Sequence, residues 1–72
     1  MRLNVLEVKK CMLDQDLAAR DVAADLGISI QAFYDWMRGE SMPTYDNLDA
    51  LMHLLDVTPN DLLISDDKEN ER

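Results

Sequence analysis

Between Val22 and Gly39 the chain reads VAADLGISIQAFYDWMRG, and this stretch leaves little choice of local structure. Val22, Ala23 and Leu26 recur at helical spacing on one face, so the first part is a short helix. Gly27 can take the left-handed conformation that ends a helix, and Ser29 supplies a side-chain oxygen to cap the next one. A second helix follows from about Ile30 to Arg38 and is closed by Gly39. Two short helices joined by one tight turn make a helix-turn-helix pattern. With Phe33 and Trp36 turned inward, an advance of about 100° per residue points Ile30, Gln31, Tyr34, Asp35 and Arg38 outward.

The flanking segments are helical too. Leu3 to about Asp14 carries Val5, Val8, Cys11 and Met12 at helical spacing, with Glu7, Lys9 and Lys10 between them, which is an amphipathic helix. Thr44 caps a fourth helix running to about Leu55, and Asp46 in its first turn suits the positive end of the helix dipole. Thr58 and Pro59 open a short fifth helix, with Asp61 placed to favour its N-terminus. The periodicity therefore predicts an all-α fold of five helices, approximately 4–14, 18–26, 30–38, 44–55 and 59–63, with no strand. Val8, Val22, Leu26, Phe33, Trp36, Leu48, Leu51 and Leu55 are the expected core. Met12 and Met52 stand at core spacing, and Met37 and Met42 are expected to fill gaps near helix ends. From Ser65 onward SDDKENER has no apolar residue, which predicts a disordered tail over 65–72 after one domain over 1–64.

Three segments, VAADLGIS, QAFYDWMRGESMP and NLDALMHLLDVTPNDLL, together resemble the phage-repressor or Cro type of helix-turn-helix domain, also called the xenobiotic-response-element family. The resemblance covers about Val5 to Ile64. It is specific because spaced features agree: alanine in the first motif helix, the turn glycine, Trp36 with Gly39, then Pro43, and Leu48, Leu51 and Leu55 beyond. It implies a compact five-helix domain, usually a sequence-specific transcriptional regulator and often a dimer. In such proteins the second motif helix enters the major groove while the first crosses the backbone.

This chain departs from the family's pattern in four places. Asp16 stands where glycine is common, so the turn before the second helix must be taken by a residue that tolerates the left-handed conformation less readily. Ala18 replaces the usual serine or threonine cap, a loss of about 0.5–2 kcal/mol relative to a capped helix. Ala19 occupies a position where many relatives carry glutamine or another polar contact to the backbone. Asp35 takes the place of a basic or amide residue.

The charge balance bears on function. Seven lysines and arginines face fifteen aspartates and glutamates, a net charge of −8. The residues from Ser65 hold two of the cations and four of the anions, so the helical part still has five against eleven, or −6. DNA binding draws most of its sequence-independent strength from neutralised phosphates, so an acidic domain starts from repulsion unless its few cations converge. Arg20 opens the first motif helix and Arg38 closes the second, with Lys9 and Lys10 on the first helix of the chain. Gln31 is the best base reader, because its amide pairs bidentately with adenine, while Ile30 suits a thymine methyl and Tyr34 a phosphate or base edge. Asp35 can only accept from the amino group of cytosine, and it repels phosphate.

Other classes of function find little support. No apolar run approaches the ~18–20 residues that span a bilayer, and the N-terminus reaches Glu7 too soon for a signal-peptide core, so a cytoplasmic protein with no membrane partner is expected. The single cysteine, Cys11, leaves no internal disulfide and reads as a small buried apolar residue. His53 has no second histidine or cysteine near it, so no metal site is expected. With no nucleophile–base pairing and no phosphate-cradling glycine loop, neither an enzyme nor a cofactor is expected. Two readings remain. One is a regulator that binds operator DNA, double-stranded, through Gln31 and its neighbours, as a homodimer meeting through Leu62, Leu63 and Ile64. The other is an antirepressor whose acidic and apolar face, Ile30, Tyr34 and Asp35, covers the basic DNA-reading face of a repressor protein, with an antitoxin-like module as a weaker variant.

Overall fold

Helix starts in this chain are set by side chains that satisfy otherwise unpaired amides. In the computed structural model, which describes residues 2–64, the helices are α1 (Val5–Asp14), α2 (Ala19–Leu26), α3 (Ile30–Met37), α4 (Tyr45–Leu55) and α5 (Pro59–Leu62). The tail expected over 65–72 lies outside the described residues. Asn4 accepts from the Glu7 amide at 3.2 Å, Ser29 from Ala32 at 3.0 Å, and Thr44 from Asn47 at 3.3 Å. At α2, Ala18 has no oxygen to offer. Only the return half of a capping box forms there, with the Asp21 carboxylate accepting the Ala18 N–H at 3.0 Å.

Helix ends are closed by left-handed residues, two of them not glycine. Gly27 (φ 70°) and Gly39 (φ 77°) follow α2 and α3, while Asp16 (φ 57°) and Asp56 (φ 59°) follow α1 and α4. The Asp16 turn is held in part by Gln15, whose side-chain amide donates to the Leu55 carbonyl at 2.9 Å and fastens the end of α1 to the end of α4.

The core joins all five helices. Val8, Val22, Phe33, Trp36, Leu48, Leu51 and Leu55 are buried as expected, joined by Leu3, Cys11, Ala23 and Leu62. Leu26 is only half-buried and packs against the edge of this cluster. Trp36 meets Phe33 edge-on, with ring centroids 6.1 Å apart. Met12, Met37 and Met52 pack on the core, whereas Met42 is exposed and fills no gap.

A feature with no helical periodicity to announce it closes the fold. Arg2–Leu3 (β1) and Leu63–Ile64 (β2) pair antiparallel, Arg2 opposite Ile64 and Leu3 opposite Leu63. The expected continuation of the fifth helix through Leu63 is therefore corrected: Leu63 is extended, at φ −114° and ψ 139°. The reason lies in hydrogen bonding. The Asn4 amide donates to the Leu62 carbonyl at 2.7 Å, so the chain leaves α5 along a partner strand. Leu62, expected at a two-fold interface, is fully buried in its own core. Leu63 packs partly against that core, and Ile64 is half-buried. The expectation of no strand is thereby corrected, although the ribbon is two residues long on each side and the architecture stays all-α.

Candidate nucleic-acid interface

The turn that aims α3 is built from both sides. Gly27 ends α2 in the left-handed region and the Ile28 amide donates back to the Ala23 carbonyl at 3.0 Å. Ser29 then caps α3 two residues later. Burying Phe33 and Trp36 fixes the rotation of α3, which leaves Ile30, Gln31, Tyr34 and Arg38 exposed and Asp35 half-exposed along one face. Ile30 and Tyr34 are each 43% accessible, an apolar pair held in water beside a carboxylate. The Tyr34 ring leans on Phe33, with centroids 6.1 Å apart, so its base is anchored to the core while its hydroxyl end is presented outward.

Asp35 organises the polar part of this face. Its Oδ1 accepts from Gln31 Nε2 at 3.1 Å, one turn back, and from Nη2 of Arg38, three residues on. Arg38 also pairs with Glu40, whose Oε1 accepts from Nη2 and whose Oε2 lies 3.3 Å from Nε. The carboxylates of Glu40 and Asp35 hold the Arg38 pKa above its usual value, so the charge is permanent, but it is already counterbalanced twice. Five of the expected site residues are thus brought together on α3. Arg20, at the start of α2, is exposed and makes no hydrogen bond or ion pair with them.

An open groove of about 500 Å³ adjoins this face, between α1, the start of α2 and α3, with Leu13, Tyr34 and Met37 among its apolar walls and Lys9 and Arg38 at its rim. The groove wall from α1 carried a weak signal in Leu13, which stands on the side of the helix away from Val8 and Cys11, as does Leu6 outside the groove. Both are left in water, at 82% and 78% exposure respectively.

Among the described residues no helix is long and apolar enough to cross a membrane. A search of curated proteins returns no match. A search of solved structures returns none either. A family model described as helix-turn-helix matches residues 8–62, which takes in the whole of α2, the turn and α3 together with most of the packing helices around them. The chain is accordingly a member of the Cro-type helix-turn-helix family, whose domains serve as DNA-binding transcription regulators.

Proposed function

We propose that this protein regulates transcription by laying α3 in the major groove of operator DNA. The observation that carries the reading is the continuous exposed face of Ile30, Gln31, Tyr34, Asp35 and Arg38 on a helix whose direction is fixed by a capped turn and a buried Phe33 and Trp36. On this reading Gln31 reads a base edge, Ile30 lies against a thymine methyl, and Tyr34 and Arg38 reach phosphate, with Arg20 contacting the backbone from α2. Asp35 repels the nearby phosphates on this reading, while its carboxylate holds Gln31 in place until DNA is met. The two-fold that a palindromic operator asks for would be completed on the DNA or by a surface other than Leu62. Selection of bound duplexes from a random pool tests it. Gln31→Ala is expected to cost about 1–3 kcal/mol on the selected site and to relax its preference at one position.

A second reading is favoured by the two carboxylates on Arg38. An α3 face whose only cation is already paired, on a domain at −6, complements a basic protein surface better than it complements phosphate. The partner would then be a repressor whose DNA-reading face is covered. Asp35→Lys separates the two readings by sign. It strengthens binding to DNA by exchanging repulsion for attraction, and it greatly weakens a complex with a basic partner by opposing like charges. Weaker DNA binding by this variant rejects the first reading, and an unchanged repressor complex rejects the second.

A further inference from the structure

We propose that the groove between α1 and α3 binds a small amphipathic anion, an apolar body carrying one carboxylate. Its walls are apolar, with Met12, Leu13, Leu17, Phe33, Tyr34 and Met37 all contributing, and its volume of about 500 Å³ is that of a small-ligand site. The charged residues lining it are Lys9 and Arg38, both cationic, although acids outnumber cations eleven to five before Ser65. No carboxylate lines the groove itself; Asp35 and Glu40 hold Arg38 from outside it, so Lys9 supplies the charge that an anionic head group would meet. Lys9 is exposed and makes no hydrogen bond or ion pair among the described residues, so its ammonium is available. Leu13, 82% exposed at the groove, is the apolar surface that a ligand would remove from water.

Tyr34 and Arg38 belong both to this groove and to the outward face of α3. A ligand carboxylate drawing Arg38 away from Asp35 and Glu40 would change what that face presents. This coupling rests on α3 being the docking face; the binding itself does not.

The test uses the full chain without DNA, titrated with decanoate, decanol and decylammonium below their aggregation concentrations and followed by amide chemical shifts. Decanoate is expected to move amides of Lys9–Leu13, Leu17, Ala19 and Phe33–Arg38, and to bind about fivefold more tightly than decanol, the worth of one partly exposed ion pair. Lys9→Glu should abolish that preference, and Leu13→Asn should weaken decanoate and decanol alike. Both positions are exposed, so neither substitution touches the core. Shifts scattered over the surface, decylammonium binding as tightly as decanoate, or an unaltered preference in Lys9→Glu would each overturn the proposal. Because no DNA is present, such a failure says nothing against operator binding, and a failure to bind DNA leaves this result standing.

Discussion

Arg38 donates through Nη2 to Oδ1 of Asp35, one turn earlier on the same helix, so the cation best placed to meet a phosphate is held by an acid of its own surface. Gln31 donates to the same oxygen. One carboxylate therefore restrains both Gln31, the proposed base reader, and Arg38, the proposed phosphate contact. Anything that engages α3 must compete with Asp35 or make use of it.

Asp35→Asn should reveal that restraint through salt. Removing the charge frees Arg38 from one of its two acids and lets it neutralise a phosphate. The plot of log affinity against log salt on a duplex should then steepen by about one unit. Fluorescence anisotropy between low and moderate salt measures it. An unchanged slope means that Glu40 alone keeps Arg38 from the DNA.

Much of this is legible in the sequence. The turn at Gly27 and the Ser29 cap set α2 and α3, and the burial of Phe33 and Trp36 could be read from their spacing. The outward set on α3 followed from the same rotation. Periodicity could not report the pairing of residues 2–3 with 63–64, because two residues contain no period and the contact spans nearly the whole domain. Nor could it report that Asp35, Gln31 and Arg38 share one oxygen, since spacing places side chains on a face without choosing their rotamers. The groove escaped for a related reason. Leu13 looks like an ordinary surface leucine until the wall opposite it, formed by Tyr34 and Met37, is in place.

The bare start of α2 invites a stabilising substitution. Ala18 has extended dihedrals (φ −92°, ψ 161°) and an exposed side chain, the geometry a capping hydroxyl uses. Ala18→Ser should add about 0.5–2 kcal/mol. In a domain this size each kcal/mol raises Tm by roughly 4–8 °C, which a thermal melt resolves. No rise would show that the Asp21 carboxylate already supplies what the cap would add.

The two left-handed aspartates are a second reserve. Asp56→Gly, at φ 59°, should be neutral or stabilise by up to ~1 kcal/mol in urea unfolding, because glycine meets no steric penalty there while its extra unfolded-state freedom offsets part of the gain. Asp56→Val should be destabilising, since a β-branched side chain fits that region worst.

Cys11 should behave as an inert thiol whose burden appears only in alkali. Burial first, and then the Glu7 carboxylate, whose Oε2 is 3.6 Å from Sγ, push its pKa up. The unfolded chain loses this proton first, so above about pH 9 the native state holds more protons than the unfolded state, and stability falls as pH rises. Below that pH the group contributes no slope. Urea midpoints followed from pH 7 to 10 should decline in the wild type and less steeply in Cys11→Ala. Modification by a thiol reagent at neutral pH should be slow until urea unfolds the chain.

Leu62 carries more than its place in a four-residue helix suggests. It is fully buried, and Leu62→Ala should cost about 2–5 kcal/mol. Domains of this length have roughly 3–5 kcal/mol in all, so the variant should be largely unfolded by circular dichroism at room temperature. A folded, merely weaker variant would mean that the ribbon and α5 contribute little to the rest of the core.

The pairing of Arg2 with Ile64 makes the backbone between these two residues almost a closed ring. Such a ring has no privileged starting point. A few glycines joining Ile64 to Arg2, with new ends cut at the exposed Glu40–Ser41 turn, should give the same five helices in the order α4, α5, α1, α2, α3. The helix that faces a ligand would then end the chain, tethered on one side and held otherwise by packing alone.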